Sequence, residues 1–160
     1  MKDRIKINDR ITSASQPSKE EIEKLPQQGF KSVINLRASG EEDQPLSPKD
    51  EEVLVRKCGM KYLHIPVSMK EGIKPALVDQ FRKEIELLPT PVFVHCHTGK
   101  RAGAFTMMHV ALKEGSTGEE AIQKAMSIGF ACDMPQLKDF FINYINQHSQ
   151  NLTEQERKRN

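Results

Sequence analysis

The sequence predicts an α/β domain: a central, mostly parallel sheet flanked by helices. Three observations carry this. Short runs such as residues 32–36 and 91–95 are apolar on both faces, as strands covered on both sides must be. Helix start and stop signals alternate with those runs along the chain. The 160 residues suit one domain, long enough to bury about two-thirds of its unfolded-chain surface.

Residues 5–11 read as an edge strand. Ser18 and Glu21 then form a capping box, Ile22 and Leu25 give that helix its apolar side, and Gly29 ends it. Residues 32–36 are a buried strand, and the polar, acidic stretch 37–46 with Gly40 and Pro45 is a loop. Ser47-Pro48 starts a second helix, because proline at the first helical position lacks only an N–H that would go unused; Gly59 stops it. Residues 62–65 are the next strand, closed by Pro66. A loop over 67–74 leads to a helix with Leu77, Val78, Phe81, Ile85 and Leu88 on one face. After the strand at 91–95, residues 102–112 are apolar nearly all round, as a buried central helix should be. Thr117 and Glu120 repeat the capping box for a helix to about Ile128, and Leu137, Phe140, Phe141, Tyr144 and Ile145 mark a last amphipathic helix. The expected organisation is one domain over residues 1–148 and a polar tail over 149–160, with Arg157, Lys158 and Arg159 solvated.

Composition excludes several classes of function. A net charge of +2 gives no basis for nucleic-acid binding. No apolar stretch of about 18 residues is present to span a membrane, and residues 1–7 lack the apolar core of a secretory signal. Three cysteines, Cys58, Cys96 and Cys132, close no disulfide framework and match no zinc spacing. A reducing cytoplasm is the expected setting, with no metal and no cofactor.

The chemistry concentrates in residues 92–103, a buried strand, a tight loop and a buried helix. In an open parallel sheet, ligands bind beyond the carboxyl ends of the strands, and Cys96 stands at such an end. The helix start offers unpaired N–H groups and the positive end of its dipole to an oxyanion. His97, Thr98, Gly99, Lys100 and Ala102 belong to this anion cradle, with Gly99 letting the backbone bend inward, and the His97 and Lys100 side chains either favour an anionic substrate or are solvated. Arg101 supplies a planar fork for two oxyanion oxygens. The same positive field favours a Cys96 thiolate, a nucleophile. His95 either bonds the backbone beneath Cys96 or packs in the core, and Arg37 is either a support of the neighbouring loop or a strand-end charge. Cys58 and Cys132 read as structural thiols.

His95-Cys96-x-x-Gly99-x-Arg101 resembles the phosphate-binding loop of cysteine-dependent phosphatases. Residues 29–37 and 62–67 resemble the strands that precede that loop in dual-specificity phosphatases. More narrowly, Ser15-Gln16-Pro17-Ser18 and Asn35-Leu36-Arg37 with Gly40-Glu41-Glu42 resemble a bacterial tyrosine-phosphatase-like family, whose members also occur fused to β-lactamase-like hydrolases. The resemblance covers roughly residues 10–130. It implies a phosphotyrosine-phosphatase-like fold, hydrolysis of phosphomonoesters on a protein or a small molecule, Cys96 as nucleophile and Arg101 as phosphate clamp.

Three features depart from the wider superfamily. Four residues, not the usual five, separate Cys96 from Arg101, a spacing shared with the narrower family and with rhodaneses. Ala102 stands where a Ser or Thr hydroxyl commonly supports the leaving thiolate. The loop after Val67 lacks the usual acidic Asp, which leaves Glu71 as the candidate general acid, with Glu41, Glu42 and Asp43 as further candidates on the neighbouring loop. A rhodanese-like sulfurtransferase and a phosphate-binding pseudo-phosphatase therefore stand as alternatives to the hydrolase.

Overall fold

A computed structural model of the chain describes the backbone of residues 4–159 and side chains up to residue 149. It contains β1 (Ile5–Lys6), β2 (Ile11–Ala14), α1 (Lys19–Lys24), β3 (Ser32–Arg37), α2 (Pro48–Lys57), β4 (Lys61–Val67), α3 (Pro75–Ile85), β5 (Val92–His95), α4 (Lys100–Glu114), α5 (Gly118–Ser127) and α6 (Pro135–Arg159). The chain divides into two compact units, one up to Gly103 and one from Ala104.

The first unit holds a five-stranded sheet in the order β1-β2-β5-β3-β4. Only the β1–β2 pair is antiparallel. Val33, Ile34, Leu36, Val92, Phe93 and Val94 are fully buried. Burying side chains of this size stabilises a fold by about 1.5–3 kcal/mol each, which is why these strands carry no alternation of apolar and polar residues. Ala14, Ile22, Leu25, Phe30, Val33, Val55, Met60, Tyr62 and Phe93 form one core cluster, seating α1 and α2 on one face of the sheet. Side chains alternate along a strand, so His95 shares that face with Phe93, and Asn35 with Val33. The register aligns Ala14, His95 and Asn35 across β2, β5 and β3, so β2 and β5 end level and β3 runs two residues further, to Arg37.

Several boundaries differ from the sequence reading, among them the end of α3, which stops at Ile85 and leaves Leu88 beyond the helix. Residues 5–11 are not one strand. Asn8 Oδ1 accepts from the N–H groups of Arg10 (2.8 Å) and Ile11 (2.9 Å), and this side-chain turn folds the stretch into a β1–β2 hairpin. Pro66 does not close β4, which continues to Val67. The pairing of β3 with β4 shifts register between Asn35 and Arg37, and a proline is tolerated at such an irregularity because no ladder N–H is required of it. Both capping boxes form, and Ser47 caps α2 ahead of Pro48.

The second unit packs α5 against α6. At the start of α5 a Cβ on Gly118 would lie 2.6 Å from the Ile142 carbonyl oxygen, so only glycine allows that approach. The backbone of α6 stays helical to Arg159, across the segment read from sequence as a tail, whose side chains from residue 150 on lie outside those described. Among the described residues, no helix is long and apolar enough to cross a membrane.

Candidate active site

Residues 96–99 join β5 to α4. Cys96 is fully buried, and its sulfur accepts from two backbone N–H groups, Gly99 at 3.2 Å and Ala102 at 3.4 Å. Gly99 makes the loop possible: its φ of +94° is a conformation that side-chain-bearing residues rarely adopt. The loop is tied to the end of β2 by Cys96 N–H to the Ala14 carbonyl (3.4 Å) and Gln16 N–H to the His97 carbonyl (3.0 Å). The cradle is therefore built onto the carboxyl ends of two interior strands, β2 and β5. His97 is half-buried, while Thr98 and Lys100 are exposed.

Arg101 is held by Glu41, which reaches it from the loop after β3. Nη1 donates to Oε2 at 2.6 Å and Nη2 to Oε1 at 2.9 Å, and Nη1 also donates to the Val67 carbonyl at 2.7 Å. Burial works against the Arg101 charge, but the Glu41 hydrogen bonds and the nearby Cys96 sulfur outweigh it and push the guanidinium pKa further up. Those bonds use both Nη1 protons and one on Nη2. The Nε and remaining Nη2 protons form the other edge of the fork, the geometry that grips two oxygens of a phosphate.

Glu41 is in turn fixed. Its Oε2 accepts from Ala38 N–H at 2.7 Å and its Oε1 from Arg37 Nε at 3.0 Å. Burial opposes its ionisation, but hydrogen bonds from Arg101, the Ala38 N–H and Arg37 prevail and bring the carboxyl down to about 2. This corrects the sequence reading of Glu41 as a candidate acid: a carboxylate that stays ionised, with both oxygens committed, has no proton to give. Its folded pKa is depressed from 4.5, so its contribution to stability is complete above pH 4.5 and is lost as pH falls toward 2. The Glu41→Gln variant is expected to flatten the acid limb of unfolding free energy across that window, measured by urea titration at successive pH values.

Arg37 is fully buried and supports this loop. Its Nη1 donates to Gln16 Oε1 (3.0 Å) and the Asp43 carbonyl (3.3 Å), and its Nη2 donates to the Glu42 carbonyl. His64, on β4, bonds the Arg37 carbonyl through Nε2.

Beneath the loop lies a buried hydrogen-bonded pair. His95 Nε2 meets Glu51 Oε2 at 2.8 Å, with both side chains fully buried. His95 Nδ1 lies 3.4 Å from the Cys96 carbonyl. Burial pushes the Glu51 carboxyl up, but His95, Gln16 and Tyr62 more than reverse this and leave it below the ordinary value. Gln16 Nε2 donates to Glu51 Oε1 at 3.1 Å while its Oε1 accepts from Arg37. A continuous polar chain thus runs His95–Glu51–Gln16–Arg37–Glu41–Arg101, from under the cysteine to the first turn of α4. Glu51 and the bridging role of Gln16 were missed in the sequence. Glu51 sits inside the run Asp50-Glu51-Glu52 and has no local mark that separates it from its exposed neighbour Asp50.

Glu71 lies exposed on the 68–74 loop. Cys58 is half-buried against the α1–α2 core cluster and Cys132 is half-buried, both as free thiols. Among the described residues, no group of three His, Cys, Asp or Glu side chains could hold a metal ion.

Residues 3–113 match the family model described as "Beta-lactamase hydrolase-like protein, phosphatase-like domain". The chain belongs to this family. The phosphatase-like domain is 31% identical over 127 residues to the beta-lactamase hydrolase-like protein of Xylella fastidiosa Temecula1, and 37% identical over 108 residues to that of Agrobacterium fabrum. These matches cover 79% and 68% of this chain but only 28% and 25% of the relatives, so the chain spans about a quarter of their length. In three dimensions the phosphatase-like domain resembles PTPMT1, with a TM-score of 0.74 at 17% identity over 94% of this chain and 99% of that one. The fold is that of the phosphotyrosine-phosphatase-like enzymes.

Proposed function

We infer that this phosphatase-like domain hydrolyses phosphomonoesters through a cysteinyl-phosphate intermediate. One observation carries the reading: the Cys96 sulfur sits where the Gly99 and Ala102 N–H groups converge, beside the Arg101 fork that Glu41 holds open on one edge. Cys96 thiolate attacks phosphorus, an S–P bond forms and the ester P–O bond breaks, with the electron pair leaving on the alcohol oxygen. Loop N–H groups and the Nε–Nη2 edge of Arg101 hold the equatorial oxygens, where charge must be stabilised. With Glu41 committed to Arg101, Glu71 is the carboxylate assigned to protonate the leaving oxygen. Water then cleaves the S–P bond, releasing phosphate and returning the thiolate. The Gly99 and Ala102 N–H groups support that leaving thiolate, so a hydroxyl at position 102 is not the only possible support.

Acid-quenching the protein during turnover of an aryl phosphate, followed by intact-mass and peptide mapping, tests this. A phosphate adduct on Cys96 is expected. Hydrolysis with no adduct would refute the covalent route. Sulfur transfer from thiosulfate to cyanide without hydrolysis would favour the rhodanese-like alternative, and phosphate binding with neither reaction the pseudo-phosphatase.

A further inference from the structure

Gln16 lies just past the end of β2 and joins three parts of the site. Its backbone N–H donates to the carbonyl of His97, the residue next to Cys96, at 3.0 Å. Its Nε2 donates to Glu51 Oε1 and to the Pro17 carbonyl, each at 3.1 Å, and its Oε1 accepts from Arg37 Nη1 at 3.0 Å. A carboxylate only accepts and a guanidinium only donates, so these partners allow the amide a single orientation. Gln16 thus stands between two opposite charges, Glu51 and Arg37, whose side chains are fully buried. Such charges attract strongly where water is scarce. Without the amide between them, Arg37 would be drawn toward Glu51 and away from Glu41, whose two oxygens hold Arg101.

We propose that Gln16 is a positioning residue for Arg101. Its amide keeps Arg37 turned to Glu41, and through Glu41 it fixes the edge that Arg101 presents to phosphate. This rests on the phosphomonoesterase reading above and extends it to a residue outside the loop. Gln16 is half-buried and borders an open groove with His97 and Thr98, so water can reach the groups that a shortened side chain releases, and variants at this position are expected to fold.

The test reads two quantities, the affinity for inorganic phosphate by calorimetry and kcat/KM for p-nitrophenyl phosphate, on protein shown to be folded by circular dichroism. Gln16→Leu is expected to weaken phosphate binding about 10-fold and to lower kcat/KM about 10- to 100-fold, as a displaced binding group does. In a Glu41→Gln background the same change is expected to cost less than about twofold in phosphate affinity, because the route to Arg101 is already cut. An equal loss in both backgrounds would overturn the assignment, since a merely structural role gives additive effects.

Gln16→Glu adds a rescue that depends on a proton. Protonated, the new carboxyl donates to Glu51 and accepts from Arg37 as the amide does; ionised, it has no proton for Glu51 and faces it as a like charge. The wild type shares the other titratable groups nearby: His95 and Tyr62 bonded to Glu51, and Glu21, Asp43 and His97 along the groove. Activity and phosphate affinity are therefore taken as ratios to wild type at each pH. Both ratios are expected to be highest in acid and to fall as pH rises. Ratios that stay flat would overturn the assignment. Phosphate affinities that follow the whole pattern without any hydrolysis by the wild type would support the role of Gln16 while refuting the hydrolase reading. Hydrolysis by the wild type that Gln16→Leu leaves unchanged would overturn the role of Gln16 alone.

Discussion

Replacing Cys96 with serine is expected to lower aryl-phosphate hydrolysis by on the order of 10³-fold or more, because a neutral hydroxyl replaces the thiolate on which the covalent route depends. The surrounding donors belong to the backbone and to Arg101, so none is removed. Phosphate affinity should therefore survive the loss of turnover. Steady-state kinetics with p-nitrophenyl phosphate and calorimetric titration with inorganic phosphate separate the two effects. Activity within tenfold of wild type would remove Cys96 from the chemistry. Loss of phosphate binding together with turnover would instead indicate that the loop had collapsed.

The second large effect concerns stability. Glu51→Ala is expected to cost about 3–5 kcal/mol at neutral pH, because it strands His95 in the interior with no partner for Nε2 and leaves Gln16 Nε2 without its carboxylate. The sign of the pH dependence follows from the direction of the Glu51 shift. Its carboxyl is held below the ordinary 4.5 in the folded chain, so its stabilising contribution is complete above that pH and is lost as pH falls through the depressed value. The gap between wild type and Glu51→Ala should accordingly be widest at neutral pH and narrow in acid. Urea unfolding at a series of pH values measures it. A gap of equal size at all pH values would mean that Glu51 contributes volume and not charge.

The two variants probe opposite ends of one structure. Cys96 ends β5 and Glu51 lies on α2, yet His95 connects them, since one ring nitrogen meets Glu51 and the other approaches the Cys96 carbonyl. Gln16 and Arg37 extend the link to the loop that carries Glu41, and Glu41 sets the edge on which Arg101 presents its protons. Cys96 and Arg101 are five residues apart in sequence but are positioned largely by residues from three other segments. The proposed phosphoryl transfer calls for donors fixed before the charge develops, and this framework holds the Arg101 guanidinium in place.

Much of the site was legible because local chemistry dictates it. A strand, a Cys, a Gly that must take positive φ and an Arg at the first helical turn need no knowledge of the rest of the chain, and the loop forms as they require. The capping boxes at Ser18 and Thr117 were equally readable, since each satisfies its own backbone within three residues. Arg37 shows the intermediate case. Its place at the end of β3 was visible, but its full burial and its hydrogen bonds to residues 16 and 41–43 were not.

The sequence by itself determined the α/β alternation, the family and the loop that holds Cys96 and Arg101, because periodicity, caps and turns act over a few residues. Only the tertiary structure decided what surrounds that loop. It made Glu41 the ionised anchor of Arg101 and not an acid, and buried Glu51 against His95 while leaving Asp50 in solvent. Those roles depend on which strand lies beside which and how deeply a carboxylate is covered. A charge changes meaning when its water is removed and a partner from a distant segment takes the water's place.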